Sequence, residues 1–149
     1  MKQRFCLRLI LVVVSSFLTS CATLVSLNEA CTEKEMDKRL AQADRKIRVE
    51  GYLLSQWCNQ ADDDQIACMM TIKDSTSSLP VFIRSNPKGE WPLGLWPRLS
   101  FDAVNKLLCG DDEKCSHGMG NTRFSIIGTC SIVERLLFVP GFGNIKPIK

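Results

Sequence analysis

The chain contains few of the residues and patterns on which catalytic chemistry usually depends. It has a single histidine, His117, and it has no C-x-x-C pair, no G-x-S-x-G, no H-E-x-x-H and no P-loop sequence. The missing C-x-x-C pair argues against a thioredoxin-like redox site. With only one imidazole, a closed zinc site would need thiolate ligands, and disulfide formation competes for these thiols. Internal repeats and low-complexity tracts are absent as well.

Net charge is also missing once the amino terminus is set aside. The full chain carries 19 Lys and Arg against 16 Asp and Glu. Lys2, Arg4 and Arg8 all lie in the first ten residues, so removal of a leader would leave 16 basic and 16 acidic side chains. Nucleic-acid binding depends on a positive surface, which this composition does not supply. We therefore expect no nucleic-acid partner.

The first twenty residues have the organisation of a secretory signal. Basic residues precede an apolar run, Leu9–Val14, which is too short to span a bilayer as a permanent helix. The segment ends in Leu18-Thr19-Ser20-Cys21, which resembles the lipobox of bacterial lipoproteins, and the chain is similar to small envelope lipoproteins. The resemblance implies cleavage before Cys21, a diacylglyceryl group on its thiol and an acyl chain on the new α-amine.

The residue that follows Cys21 indicates the destination. Several acyl chains give stable membrane attachment, whereas one chain gives only marginal binding. Ala22 stands where an aspartate would resemble the signal for retention in the inner membrane. We therefore expect an outer-membrane lipoprotein of a Gram-negative bacterium whose domain faces the periplasm. Exposure on the cell surface stays open at this point.

Cysteine usage agrees with secretion. Cys6 lies in the leader and Cys21 in the lipobox, so six of the eight cysteines remain for the mature domain. An even number of cysteines in an oxidising compartment predicts three disulfides, and about 15 connectivities are possible for six cysteines. The expected disulfide residues are Cys31, Cys58, Cys68, Cys109, Cys115 and Cys130.

Hydrophobic periodicity predicts one helix, three strands, a second helix and two further strands. Residues 22–27 form a predicted tether, and Asn28 caps a helix that runs to about Asp44. The predicted strands cover 46–54, 66–73, 79–84, 123–131 and a stretch within 136–148. Ser100 caps the second helix, which ends at Leu108.

In this order the segments resemble an OB-fold, a five-stranded barrel with one inserted helix. The matching sequence words are Val49-Glu50-Gly51-Tyr52, Ile72-Lys73-Asp74-Ser75-Thr76, Val81-Phe82-Ile83, Ile127-Gly128-Thr129 and Ile145-Lys146-Pro147-Ile148. The resemblance implies a mainly β (α+β) domain over 46–149. The lipobox resemblance places a signal peptide (1–20) and a lipidated tether with an N-terminal helix (21–45) before this domain. The OB-fold resemblance also implies that the first strand bends at Gly51 to join both sheets. The alternative is a generic α+β sandwich.

The OB-fold resemblance favours one set of disulfides. A hairpin turn near Asp62 would place two cysteines opposite each other, and a change of facing at Gly51 would turn both to one side. A second pair would close a short loop, and the third would tie the N-terminal helix to the barrel. The expected pairs are Cys58–Cys68, Cys109–Cys115 and Cys31–Cys130.

Candidate catalytic and metal-binding residues are few. The acidic runs Asp62-Asp63-Asp64 and Asp111-Asp112-Glu113 lack the spaced ligands and the glycine of a calcium loop, so we interpret them as solvated turns. His117 follows Cys115 by two residues, but that cysteine is expected to be oxidised, and a nucleophile and its base usually come from distant segments. We expect no catalytic residue, no metal, no cofactor and no enzymatic activity.

The loop before the second helix is the strongest candidate for partner binding. It repeats a dipeptide as Trp91-Pro92 and Trp96-Pro97. Large aromatic side chains on loops are favoured at interfaces and stack on sugars; alternatively, these rings cover the barrel core. OB-folds bind oligomers across the face of their second and third strands and the adjoining loops. In the periplasm this implies a protein or glycan partner for Trp91 and Trp96.

Two classes of function follow from these observations. The first is a non-enzymatic, membrane-anchored binding module, a class that includes inhibitors and immunity proteins. The second is a structural accessory lipoprotein of an envelope assembly, in which the anchor and the N-terminal helix matter more than the barrel. Loss of a partner on changing Trp91 and Trp96 to alanine would favour the first class, and its loss on deleting residues 28–45 would favour the second.

Substitution of Cys21 by alanine tests the anchor. The variant lacks the thiol that the lipobox presents for acylation, so we expect uncleaved or unacylated protein with altered membrane fractionation. Labelling with radioactive palmitate, together with the size of the product, measures both steps. A Cys21→Ala protein that is labelled and processed like the parent would contradict the lipobox assignment.

Overall fold

The computed structural model describes residues 22–41, 46–60, 65–85 and 97–148. The strands are β1 (Thr23–Leu24), β2 (Lys46–Gln60), β3 (Ile66–Lys73), β4 (Ser78–Arg84), β5 (Arg123–Ser131), β6 (Leu136–Val139) and β7 (Ile145–Ile148). The α-helices are α1 (Glu33–Ala41), α2 (Phe101–Cys109) and α3 (Glu113–His117). Short 3-10 turns cover Met119–Asn121 and Phe142–Asn144.

Five of these strands close into a barrel in the order β2-β3-β4-β6-β5 and back to β2. The long strand β2 makes the closure possible, because its first half pairs with β5 and its second half pairs with β3. The β4–β6 pair is parallel, and the other four pairs of the ring are antiparallel. This is the strand order of an OB-fold, which confirms the predicted mainly β barrel.

The last part of the chain forms two strands where the sequence predicts one. β6 closes the barrel by pairing with β4 and β5, whereas β7 pairs with the first half of β5. Pro140 and Gly141 separate the two strands. The words matched to the last OB-fold strand, Ile145–Ile148, therefore form an added strand, and Leu136–Val139 takes the closing position.

A bulge in β2 decides which of its side chains face the core. The register between β2 and β3 shifts between Leu53 and Ser55, so Leu54 is the extra residue. The shift turns Cys58 into the core and Trp57 outward. The sequence predicts this change of facing at Gly51. That position is wrong, because the change occurs at the bulge at Leu54.

Gly51 lies instead at the bend where β2 leaves β5 and begins to pair with β3, which confirms the predicted bend. Tyr52 is the residue that pairs with both neighbours, with Arg123 of β5 and Lys73 of β3. A Cβ atom on Gly51 would lie 2.8 Å from the carbonyl oxygen of Lys73 and 3.2 Å from Leu27 Cδ1. The backbones approach so closely here that no side chain fits.

The barrel encloses one hydrophobic core. Aliphatic side chains from all five ring strands fill it, and the largest fully buried ones on these strands are Ile47, Val49, Ile72, Leu79, Val81, Ile83, Ile126 and Leu137. α2 covers the end at which β4 finishes and β5 begins, with Val104 and Leu108 packed into the core. Ser100 caps this helix as predicted, since its hydroxyl accepts from the backbone N–H of Ala103 at 3.2 Å.

The residues before α1 belong to the barrel. The sequence predicts a tether over 22–27 followed by a helix from Asn28, but β1 pairs in parallel with the start of β2, and Leu27 is buried in the core. The helix begins only at Glu33. Cys31 has a φ of 58°, in the left-handed region, so the turn that precedes it cannot continue as an α-helix.

The described part of the chain contains the three disulfides that the OB-fold resemblance favours. Their Cα–Cα distances are 5.0 Å for Cys31–Cys130, 4.0 Å for Cys58–Cys68 and 5.5 Å for Cys109–Cys115. The first ties the segment before α1 to the end of β5, the second joins directly opposed residues of β2 and β3, and the third joins α2 to α3. The predicted pairing is confirmed.

Loop length ranks the contributions of these disulfides to stability. Cys31 and Cys130 are 99 residues apart, whereas Cys109 and Cys115 are 6 apart. The chain-entropy model then makes the long-range bond more stabilising by about 2.5 kcal/mol. We expect the double variant Cys31→Ala/Cys130→Ala to lose that much more free energy of unfolding than Cys109→Ala/Cys115→Ala, as measured by urea denaturation. Equal losses would contradict this ranking.

The turn between β3 and β4 is built around a carboxylate. Asp74 Oδ1 accepts hydrogen bonds from the backbone N–H groups of Thr76 and Ser77 at 2.7 and 2.8 Å, and from the Thr76 hydroxyl at 2.8 Å. The two backbone donors, and after them the hydroxyl, favour the ionised form. They therefore lower the pKa of Asp74 from its ordinary value.

Asp74→Asn keeps the acceptor oxygen and removes the charge. Because the folded-state pKa of Asp74 is lowered, its charge stabilises the fold above the pKa of the unfolded chain, and this contribution is lost as pH falls through the folded pKa. We expect the parent's advantage over Asp74→Asn to shrink as pH falls from about 5 to about 2. Urea denaturation across this range measures it; a constant difference would refute the assignment.

Candidate functional site

An apolar row crosses the outside of the barrel over four neighbouring strands. It consists of Trp57 on β2, Met69 on β3, Phe82 on β4 and Phe138 on β6, each directly opposite the next in the strand register. Trp57, Met69 and Phe138 are 58%, 43% and 41% exposed, and Phe82 is half-buried. The Phe82 and Phe138 rings meet edge to face, with centroids 5.5 Å apart. We call these four residues the apolar row.

Rows that carry polar side chains lie on both sides of the apolar row. On one side Ser55, Thr71 and Pro80 are opposite one another, and on the other side Asn59, Ala67 and Arg84 are. Among the described outward positions of β3 and β4, the only charged residues are Lys73 and Arg84. An apolar centre with a polar rim and little charge is the composition of a protein interface.

The bulge in β2 creates the row. Without the extra residue at Leu54, Trp57 would face the core and Cys58 would face solvent. The inward positions are set by the disulfide between Cys58 and Cys68, because residues adjacent in a strand point to opposite faces. Trp57 and Met69, the neighbours of these cysteines, are therefore both turned outward.

Sequence reasoning missed the apolar row, although a signal for it was present. Once Cys58 and Cys68 are assigned to each other, strand alternation requires Trp57 and Met69 to lie outside. Phe82 follows in the same way from the buried Val81 and its neighbours in β4. The parallel pairing of β6 with β4, which adds Phe138, has no comparable sequence signal.

The predicted partner-binding residues Trp91 and Trp96 lie outside the described residues, and their role stays a prediction. The two ends of their loop are described. Ser85 donates its backbone N–H to the carbonyl of the first residue of β3, and Pro97 accepts from the last residue of β2, both at 2.9 Å. The loop thus begins and ends beside the strands that carry the apolar row, and Ser85 is three residues beyond Phe82.

A shallow groove of about 1160 Å³ lies near α3 and the beginning of β5. Its lining includes Tyr52, Lys114, Arg123 and Ile148. Arg123 is paired with Glu50 of β2 at 3.1 Å, so its guanidinium already has a partner. The mixture of residues resembles ordinary surface, and no reactive pair meets there among the described side chains.

The acidic run and the lone histidine have structural partners. The acidic run interpreted as a solvated turn leads into α3, which Asp112 caps by accepting from the Cys115 backbone N–H at 3.1 Å. His117 is exposed, and its Nδ1 lies 2.7 Å from the carbonyl oxygen of Glu113. Cys115 is bonded to Cys109 and presents no thiolate. Within the described ranges no three metal-ligating side chains come together; Asp62, Asp63 and Asp64 lie outside them.

Cys21 and the proposed signal segment lie outside the described residues as well. In the part of the chain that is described, none of the helices has the length and apolar character needed to span a bilayer.

Comparisons with known proteins add little to this geometry. No protein-family model matches the chain, and neither does any curated protein sequence. Among solved structures, the crystal structure of yeast Stn1 and Ten1 aligns over 90% of this chain and 66% of its own chain, with 10% identity and a TM-score of 0.47. A putative aspartyl-tRNA synthetase from Leishmania major Friedlin aligns over 93% and 23%, with 12% identity and a TM-score of 0.40.

This chain therefore spans less than two thirds of either matched structure. Similarity at these TM-scores bears neither on function nor on the fold assignment. The assignment depends instead on the strand order and on the closure of the barrel.

Proposed function

We propose that the protein is a non-enzymatic lipoprotein of the bacterial outer membrane whose OB-like barrel binds a partner in the periplasm. The favoured partner is a protein, and a cell-wall glycan is the second candidate. The observation that carries the proposal is the apolar row: Trp57, Met69, Phe82 and Phe138 lie side by side on the outside of a barrel whose core is already filled.

Composition supports a binding role for this surface. Single exposed apolar side chains are normal on soluble proteins, whereas contiguous patches mark interaction sites. Trp, Phe and Met are enriched at protein interfaces, and charged residues are depleted from their centres. The row combines these residue types, with Trp57 the most exposed of the four. Large aromatic residues of this kind dominate measured binding energies.

The nature of the surface favours a protein over the other polymers. A glycan stacks on the flat face of a ring, but Phe82 and Phe138 are packed edge to face against each other. Nucleic acid needs a run of basic residues along the binding surface. Among the described outward residues of β3 and β4, the only basic ones are Lys73 and Arg84, and they lie at opposite ends of the strands.

Rigidity supports the more specific role of an inhibitor or immunity protein. The barrel has a disulfide directly beneath the row, between Cys58 and Cys68. A surface held in its bound conformation loses little conformational entropy on association, so its contacts contribute fully to affinity. A rigid plug of this kind is suited to blocking the site of another protein.

The structural accessory role has less support. It would depend on the anchor and the N-terminal helix as a unit separate from the barrel, yet β1 and Leu27 are part of the barrel and Cys31 is bonded to β5. Deleting residues 28–45 would therefore remove the Cys31–Cys130 disulfide and the residues that directly follow the buried Leu27. The deletion would not test the helix alone. Point substitutions on the row give a cleaner test.

Photocrosslinking tests the proposal. A benzophenone amino acid is placed at position 57 of the full chain in intact cells, and the same amino acid at position 101 serves as the control, because Phe101 on α2 is similarly exposed and is not part of the row. We expect one discrete adduct from position 57 and none from position 101. A crosslinked foreign peptide, found by mass spectrometry after proteolysis of the adduct, identifies a protein partner, and return of the adduct to nearly the size of the free chain on muramidase digestion identifies a glycan.

Alanine variants separate binding from folding. Trp57→Ala and Met69→Ala should lose the partner in a pull-down of solubilised envelopes, whereas Phe101→Ala should retain it. All three are surface substitutions and should change the free energy of unfolding by only about 0.5 kcal/mol. If Trp57→Ala and Met69→Ala retain the partner at this stability, the apolar row is not the binding surface.

A further inference from the structure

The turn between β5 and β6 carries two apolar residues where polar ones are usual. It covers residues 132–135, and Val133 is 97% exposed, the highest value of any large hydrophobic residue in the described chain. Ile132 before it is 37% exposed. Turns favour Gly, Asn, Asp, Pro and Ser, and β-branched residues fit them poorly. Neither residue contributes to the core, so folding does not account for them.

This turn lies at the same end of the barrel as the start of the described chain. Thr23 of β1 pairs with Ile47, and Ile47 pairs with Gly128 of β5, so the three residues form one row across the strands. Going backwards from Thr23 and forwards from Gly128 leads in the same direction. Ala22 is one residue before this row and Ile132 is four residues beyond it, so they are about 10 Å apart across the strands and about 10 Å apart along them.

Two contacts fix the turn to the beginning of the chain. Arg135 Nη2 donates a hydrogen bond to the carbonyl oxygen of Asn28 at 3.2 Å. The disulfide between Cys31 and Cys130 joins the same two segments two residues before the turn. The position of the turn relative to the amino terminus is therefore set covalently and does not depend on a flexible linker.

A lipid on Cys21 would bring this rim to the bilayer. Consecutive Cα atoms are about 3.8 Å apart, so Cys21 lies within that distance of Ala22, which is followed at once by the paired strand β1. No spacer separates the proposed anchor from the barrel. The acyl chains hold Cys21 at the membrane interface, and the rim that contains Ala22 must follow it.

We propose that the β5–β6 turn is a membrane-docking tip: Val133, with Ile132, enters the interfacial region of the bilayer beside the lipidated amino terminus and fixes the orientation of the barrel. This inference rests on the proposed lipid anchor. The occupant of the tip is a phospholipid surface, since the anchor places such a surface at this rim and no other partner is placed there by the chain itself.

Charge at the rim favours apolar over electrostatic docking. Of the described residues near this turn and the start of β2, Lys46 and Arg135 are basic and Glu29 and Glu134 are acidic, so these residues provide no excess of either sign to attract anionic headgroups. Docking should therefore persist in high salt and on zwitterionic lipid. A polybasic membrane site would behave in the opposite way.

The orientation has a consequence for the apolar row. Phe138 lies three residues beyond Arg135, the last residue of the turn, which is about 10 Å at the usual rise. When the rim lies on the bilayer, the apolar row lies above the headgroups and faces parallel to the membrane. A partner in the periplasm would then reach it without contacting the membrane.

Lipid photocrosslinking tests the docking tip. The purified full chain, with its lipid confirmed by the mass of the amino-terminal peptide, is reconstituted into vesicles of phosphatidylethanolamine and phosphatidylglycerol. A benzophenone amino acid is placed at position 133, or at position 101 on α2 as the control. Both positions are exposed, so neither change should disturb folding, which disulfide mapping verifies.

We expect a phospholipid adduct at position 133, none at position 101, and no loss of the adduct in high salt. A chain that carries no lipid at Cys21 would overturn the anchor and this inference together. A lipidated chain that gives equal adducts at the two positions, or an adduct at position 133 that salt removes, would overturn the docking tip alone.

Discussion

The double pairing of β2 is the constraint on which the rest of the structure depends. One continuous strand serves both sheets, so the barrel closes only if its backbone can bend sharply at Gly51, where the carbonyl of Lys73 leaves no space for a side chain. The bulge at Leu54 follows from the same demand, since a strand that twists through both sheets is relieved by one extra residue. The core and the outer face take their assignments from these two positions.

The same strand joins stability to the proposed binding surface. By moving Cys58 inward, the bulge allows the bond to Cys68, and it necessarily moves Trp57 outward to Met69. One change in register therefore both allows the disulfide and exposes Trp57. In a barrel without that bulge, position 57 would face the core, and an aromatic side chain on this face would have to come from another position.

Local chemistry made much of the fold predictable, and long-range geometry limited the rest. Alternation gave the strands 66–73 and 123–131, and the cap at Ser100 gave α2, because these signals lie within a few residues. The helix predicted from Asn28 begins only at Glu33, because Cys31 has a positive φ, and its bond to Cys130 in distant β5 could not be read from local sequence. The apolar row also needs the register between strands, and a single strand's pattern does not contain it.

The bond between Cys31 and Cys130 would give the proposed export of this chain a definite order. Cys31 would be the first of the six domain cysteines to emerge from a translocon and Cys130 the last, 99 residues later. Throughout that interval Cys31 would meet other thiols, including those of Cys58 and Cys68. Its correct partner would arrive only when almost the whole domain had been delivered. On this route maturation would be completed after translocation, and thiol–disulfide exchange would have to remain possible until then.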